Sequence, residues 1–426
     1  MKVIVNPERR DWSEITRRAL PDDGVIGQRV EKIIARVREE GDDALIGLAA
    51  EIDGVKLDRV DVGKDQIEAA AGKIEQSLKD AIELSVSNVR KFHEAQLSKG
   101  VDIQTMSGVR CVQRNVPVQR VGLYIPGGSA PLFSTVIMLT VPAKVAGCPE
   151  IVLCTPPDKS GNVAPEILYA ASVCGVNKIF MAGGAQAVAA MAYGTKSVPK
   201  VDKIFGPGNR YVTKAKQLVS LSEVGIDMPA GPSEVMVMAD STARPEFVAA
   251  DLLSQAEHGA DSQSVLVTDS RSFAEQVLKQ VEVQLAVLSR CGLASNSLDN
   301  SFAVVMDDRQ DMIDFANVYA AEHLIISMDD PWGVADKITA AGSIFLGNYS
   351  PESVGDYASG TNHTLPTAGW ARAFSGVNVD SFLKKITIQE LSADGLRGIG
   401  PAVMAMAAAE GLDGHRNAVK IRLENL

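Results

Sequence analysis

The chain has 426 residues, 46% hydrophobic and 22% charged, the balance of a folded globular protein with room for two or three domains of about 150 residues each. A formal net charge of −11 argues against the basic stripe that a nucleic-acid surface needs, and no run of about 18 apolar residues is available to cross a bilayer. The opening Met1-Lys2-Val3-Ile4-Val5-Asn6-Pro7 has no long apolar core followed by a small-residue cleavage site, so a cytoplasmic location is expected.

Residues 1–26 are expected to form an N-terminal arm. From about residue 27 to 96 the pattern is helical: Val30, Ile33, Ile34 and Val37 recur at helical spacing, as do Ile67, Ala70, Ile74, Leu78 and Ile82. His93, in the charged run Arg90-Lys91-Phe92-His93-Glu94, reads as a solvated surface histidine. After Val116-Pro117-Val118 the texture changes to short apolar strands punctuated by Gly and Pro. These are Val121-Gly122-Leu123-Tyr124-Ile125, Glu150-Ile151-Val152-Leu153-Cys154, Lys178-Ile179-Phe180-Met181 and Val201-Asp202-Lys203-Ile204-Phe205, with helical stretches at 164–173 and 187–192. A second series follows at Glu234-Val235-Met236-Val237-Met238, Ser264-Val265-Leu266-Val267, Phe302-Ala303-Val304-Val305, His323-Leu324-Ile325-Ile326 and Ser343-Ile344-Phe345-Leu346. Helical patterns at 245–258, 272–288 and 311–322 separate its members.

Strands alternating with helices specify βαβ units and parallel sheets. The expected fold class is therefore α/β: two Rossmann-like parallel-sheet modules, a helical N-terminal segment and a small helical C-terminal appendage. The Pro/Gly-rich run Asp227-Met228-Pro229-Ala230-Gly231-Pro232 marks the hinge between the modules. The expected domains are the arm (1–26), a larger discontinuous α/β domain (27–123 plus 235–376), a smaller one (124–234) and the appendage (377–426), which has few strand signals. The five cysteines, Cys111, Cys148, Cys154, Cys174 and Cys291, are odd in number and lack C-x-x-C spacing. They are expected to be small buried hydrophobes rather than a disulfide framework or a thiolate metal site.

Three glycine-rich turns follow strands of the first series: Pro126-Gly127-Gly128, Ala182-Gly183-Gly184-Ala185-Gln186 and Gly206-Pro207-Gly208-Asn209. Glycine there lets the backbone approach a ligand, a following helix N-terminus favours phosphate, and such turns lie at the ligand-binding carboxyl ends of a parallel sheet. Any one alone is ordinary strand-to-helix turn chemistry; together they point to a nucleotide cradle. The dinucleotide fingerprint G-x-G-x-x-G is absent, because Gly206-Pro207-Gly208 is followed by Asn209-Arg210-Tyr211.

The chain has five histidines, and four of them fall in a few conspicuous segments, at His258, His323, His363 and His415. Gln255 and His258 are three apart, so on a helix both lie on one face and two ligand atoms can converge on one metal ion. Asp356 and His415 complete a candidate four-ligand set of N and O donors, which zinc accepts, and Glu322-His323 is a candidate acid/base pair beside it. Plainer alternatives stand for each. A Gln-His pair is commonly surface or satisfied core, a Gly-flanked Asp is often a turn residue, and His323 opens an apolar strand that it could simply cap.

The segments Gly225-Ile226-Asp227-Met228-Pro229-Ala230-Gly231-Pro232-Ser233-Glu234, Leu252-Leu253-Ser254-Gln255-Ala256-Glu257-His258-Gly259, Ala320-Ala321-Glu322-His323-Leu324 and Gly355-Asp356-Tyr357-Ala358-Ser359-Gly360-Thr361-Asn362-His363 resemble, in this order, those of histidinol dehydrogenases. The likeness runs from about Val116 to the C-terminus and is weakest before residue 100. It implies oxidation of L-histidinol to L-histidine through an aldehyde held in the site, with two NAD consumed, as the last step of histidine biosynthesis. It implies Zn²⁺ on Gln255, His258, Asp356 and His415, all four also near the substrate together with His323. His323 resembles the base that takes the alcohol proton, and Glu322 the residue that activates water against the aldehyde. Ser233, His363 and Glu410 resemble substrate contacts, with Glu410 suited to the ammonium. Tyr124, Gln186 and Asn209 resemble NAD contacts.

The resemblance also favours an intertwined homodimer, the tail with Glu410 and His415 completing the neighbour's site. A tail of about fifty residues is too small to bury a core of its own, which agrees with that role. Three other readings compete: a related zinc/NAD dehydrogenase acting on a different polar alcohol, a zinc hydrolase using Glu322 without a redox cofactor, and a catalytically silent scaffold, which the presence of every motif residue disfavours. The second leaves the glycine-rich turns unexplained.

Overall fold

The structure is a computed structural model that describes residues 1–18, 24–127, 131–228 and 231–426. Gly128 of the first glycine-rich turn and Pro229-Ala230 of the expected hinge lie outside the described residues. In chain order the strands are β1 (Lys2–Val5), β2 (Val101–Met106), β3 (Val109–Pro117), β4 (Arg120–Tyr124), β5 (Glu150–Thr155), β6 (Lys178–Met181) and β7 (Lys203–Phe205). They continue with β8 (Gly225–Ile226), β9 (Glu234–Ala239), β10 (Gln263–Thr268), β11 (Phe302–Val305), β12 (His323–Ser327), β13 (Ser343–Leu346) and β14 (Leu383–Leu391).

Two sheets are wholly parallel, in the orders β6-β5-β4-β7-β8 and β1-β11-β10-β9-β12-β13. Every residue of β9, β11 and β12 is buried, because helices cover both faces and leave no side to water. In each sheet the winding reverses beside the first central strand, between β4 and β7 in one and between β9 and β12 in the other. Such a reversal opens a crevice outside the carboxyl ends of the strands where a ligand can enter. The helices Gly24–Glu40 and Gln76–Glu94 pack on the helices that flank β4–β8, so residues 24–94 belong by packing with that sheet rather than with the β9–β13 sheet.

Several local expectations are corrected. A third, antiparallel sheet, β14-β3-β2, joins the tail to the middle of the chain, with Leu383 opposite Pro117 and Leu391 opposite Val109. The tail is therefore a nine-residue strand followed by a helical pair, not helix alone. Ile386 and Ile388 alternate with polar residues, a period-two signal that the flanking Lys and Glu obscure. His93 is fully buried rather than solvated: it shares a stripe with Val86 and Val89, and its Nδ1 lies 2.7 Å from the Val89 carbonyl. Cys148, Cys154 and Cys174 are buried as expected, but Cys291 is exposed and Cys111 half-buried. The helix Arg309–Tyr319 stops short of Glu322, because Ala320 takes a left-handed conformation (φ 55°) and turns the chain into β12.

Candidate active site

Glu322 and His323 stand at the amino end of β12, next to the start of β9, with His323 in register with Val235. Both side chains are buried. Their placement follows from the ladder: the Glu234 N–H donates to Glu322 Oε2 at 2.8 Å, and His323 Nδ1 lies 3.3 Å from the Glu234 carbonyl. A carbonyl only accepts, so Nδ1 is the donating nitrogen of this contact, and whenever the ring so held is neutral its lone pair is at Nε2. That Nε2 is buried, has no hydrogen-bond partner, and lies 3.4 Å from Asp356 Oδ1.

Asp356 comes from the short helix Glu352–Tyr357, which packs on the helix Pro245–Ala256. Ligand atoms of His258, Glu352 and Asp356 lie within 4.8 Å of one another. Gln255, in the last turn of its helix, is fully buried with neither amide atom hydrogen-bonded. His258 lies just beyond that helix rather than on it, its N–H closing a turn onto the Gln255 carbonyl at 3.2 Å. A buried amide with both ends unmet is costly, and a cation beside its oxygen would satisfy half of it. Converging imidazole and carboxylate donors with an orphaned amide fit a borderline divalent ion such as zinc.

Glu352 escaped the sequence reading. It is 1% exposed, its Oε2 is unpartnered, and it lies one helical turn before Asp356. The available signal was that same i, i+4 spacing of two carboxylates. Burial pushes the Glu352 and Glu322 carboxyls each up to about 8. Burial works against a charged His323, but the Glu352, Glu322 and Asp356 carboxylates outweigh it and raise its pKa to about 10. A divalent cation among the same carboxylates would oppose that rise. Burial also works against the Asp356 carboxylate, yet His323, His363 and His258 hold it below its usual range.

The loop after this helix crosses to the other sheet's layer. Asn362 Nδ2 donates to the Met138 carbonyl at 2.6 Å, and His363 Nε2 lies 3.4 Å from Thr135 Oγ1. Ser233 immediately precedes β9, its carbonyl accepting the Gln263 N–H at 3.1 Å. Tyr124, Gln186 and Asn209 gather at the carboxyl ends of β4, β6 and β7, the reversal edge of their sheet. Tyr124 is buried and its hydroxyl accepts the Gly184 N–H at 3.1 Å. Gln186 is buried in the first turn of the helix Gly184–Tyr193. Asn209 caps the helix Arg210–Ser220, its Oδ1 accepting from the Tyr211 and Val212 N–H groups at 3.0 and 3.2 Å. Gly206 has φ 128°, and a Cβ there would collide with the Tyr124 carbonyl, so the turn must be glycine.

Glu410 and His415 are not brought to this site by their own chain. Both are exposed, on a helical pair, Ala393–Ala409 and Asp413–Glu424, that packs mainly on itself and on β14.

A sequence profile described as histidinol dehydrogenase matches residues 16–423. The histidinol dehydrogenase of Bacteroides thetaiotaomicron is 55% identical over the full length of both chains. That of Aliivibrio fischeri is 51% identical, covering all of this chain and 97% of its own. The crystal structure of histidinol dehydrogenase from Elizabethkingia anophelis superposes with a TM-score of 0.97 at 50% identity, over 100% of this chain and 98% of that one.

Proposed function

The chain belongs to the histidinol dehydrogenase family and is an NAD-dependent oxidoreductase of the final step of histidine biosynthesis, and from that premise we propose which of its residues do the chemistry. His323 is the base. Its Nε2 lone pair takes the alcohol proton of L-histidinol as the carbinol carbon gives up hydride to NAD. The observation that carries this reading is the contact of Nδ1 with the Glu234 carbonyl, which leaves Nε2 as the proton acceptor. Glu322, held by the main chain of the same residue and with a carboxyl pushed up to about 8, takes a proton from the water that attacks the aldehyde. Keeping the aldehyde bound between two oxidations requires both groups at one carbon, and they are adjacent in sequence.

Gln255, His258 and Asp356, with His415 of the partner subunit, would hold the zinc ion. The orphaned Gln255 amide supports this assignment. Bound zinc would polarise and orient the amino alcohol. Ser233 and His363 would contact the substrate, and Glu410 of the partner subunit its ammonium. Tyr124, Gln186 and Asn209 would line the NAD site on the glycine-rich turns. A homodimer is supported by the uncovered apolar side chains of the antiparallel sheet and helical pair: Val101, Ile103, Met106, Ile386, Ile388, Met406 and Ile421 are all exposed. Exposed apolar residues grouped in this way mark an interaction surface.

The test is stoichiometric. Histidinol incubated with excess NAD should yield two NADH for each histidine formed, with no free aldehyde. One NADH with aldehyde accumulating overturns the paired roles of Glu322 and His323. Metal removal is the second test. A chelator should abolish turnover while circular dichroism stays nearly unchanged, because two sheets covered on both faces bury a sufficient core without a metal staple. Full turnover in metal-free protein refutes the ligand set.

A further inference from the structure

Glu234 is where the amino-terminal arm meets the acid/base pair. Its side chain is 2% exposed, and its carboxylate is gripped from two directions. Arg18 donates through Nε to Oε1 and through Nη2 to Oε2, both at 2.8 Å, and the Ala368 N–H donates to Oε1 at 3.0 Å. The guanidinium is fixed in turn: Nη1 donates to the Thr16 carbonyl at 2.9 Å, and the group lies 3.6 Å from the Tyr319 ring centroid. Tyr319 is fully buried and anchored by its hydroxyl, which donates to Gln263 Oε1 at 2.7 Å.

The main chain of this same residue carries both members of the pair, Glu322 on its N–H and His323 on its carbonyl. β9 needs no ion pair to form, since its ladder runs through peptide groups. A buried ion pair is weak evidence for stability, because desolvating two charges offsets most of their attraction. Its bidentate geometry does fix orientation.

We propose that Arg18 and Glu234 are positioning residues for the reaction. Their ion pair fixes the one residue from whose main chain Glu322 and His323 both hang, so the amino-terminal arm sets the alignment of the pair. This rests on the reading of Glu322 and His323 as the acid/base pair. Because one residue's main chain holds both, disturbing it weakens both half-reactions together. Misplacement of reacting groups by about 1 Å costs on the order of 10²-fold in rate.

The experiment uses the full-length, zinc-loaded enzyme as Arg18→Ala, Arg18→Lys and the double variant Arg18→Leu/Glu234→Gln, with His323→Ala as reference. The readouts are kcat and KM for histidinol and for the added aldehyde, KM for NAD, thermal midpoint, and rescue by low-millimolar guanidinium chloride. In Arg18→Ala, kcat should fall roughly 10- to 100-fold for both substrates while KM for NAD moves less than about twofold. Guanidinium should restore much of kcat, and Arg18→Lys, with a one-point grip, should recover only part. Wild-type kcat in Arg18→Ala overturns the proposal, as does a loss that guanidinium repairs in thermal midpoint but not in kcat. If Arg18→Ala does not fold, the double variant decides on the same kcat readings, since it leaves no unpaired buried charge. Turnover surviving in His323→Ala would show the acid/base reading itself to be wrong. Loss there with wild-type kcat in the Arg18 variants overturns the positioning role alone.

Discussion

Glu322→Gln should separate the two oxidations. The substituted amide keeps an oxygen for the Glu234 N–H, now at 2.8 Å from Glu322 Oε2, so the start of β12 should hold its place. The charge is lost, and with it the group that deprotonates water. Oxidation of added histidinaldehyde should fall by a factor of roughly 10² to 10⁴, the usual loss on removing a general base. The first hydride transfer, measured in a single turnover from histidinol, should fall far less, because His323 Nε2 is untouched. Enzyme given histidinol should then release one NADH quickly and the second slowly. Equal losses in both steps would mean that Glu322 serves the strand rather than the water.

The contrast matters because the two side chains have the same support and different tasks. Burial above all, with the Glu234 and Glu352 carboxylates adding to it, moves Glu322 up to about 8, which leaves a carboxyl able to exchange protons near neutrality. His323 is raised too, but for the opposite reason: its burial works against the charge and the surrounding carboxylates overcome it. A base is useful only when it can lose its proton again. The crowd of Glu352, Glu322 and Asp356 around His323 therefore calls for positive charge, and the orphaned Gln255 amide lies among the same residues' elements. Both features point to a cation for a reason that owes nothing to the spacing of the ligands in sequence.

The alternating strands and helices were legible because both parallel sheets are buried on both faces, which writes them as short continuous apolar runs such as Val235-Met236-Val237-Met238. Exposed β2 and β14 carry no such run, so their sheet was missed. The packing of residues 24–94 on the β4–β8 layer was illegible for another reason: a helical stripe shows that something covers it, not what. His93 shows the limit of residue-type reasoning, because a histidine with a main-chain acceptor one turn back can be buried wherever its stripe is. At the site, the candidate residues were named from the resemblance, without the structure. Glu352 and Arg18 were not, since neither sits in a conspicuous motif and each acquires meaning only from what the fold places against it.

Two inactive variants should restore activity to each other. His415 and Glu410 are exposed on a helical pair that packs on itself and on β14, away from the cluster of His258, Glu352 and Asp356 in the same chain. The proposed dimer resolves this by seating each tail in the neighbour's site. His323→Ala and His415→Ala should each be nearly inactive alone. Dissociated together and reassembled in equal amounts, they should form mixed dimers in about half of all pairings. Each mixed dimer then has one site carrying both lesions and one carrying neither, so roughly a quarter of wild-type turnover should return. A tail that served its own chain would leave one lesion in every site and return nothing. The apolar side chains exposed on β14 and the helical pair, among them Ile386, Ile388 and Ile421, make the first outcome the expected one, because a helical pair bearing them needs a surface to cover them. Mixed dimers shown to have formed, without recovered turnover, would rule out the shared site and return His415 to a surface role.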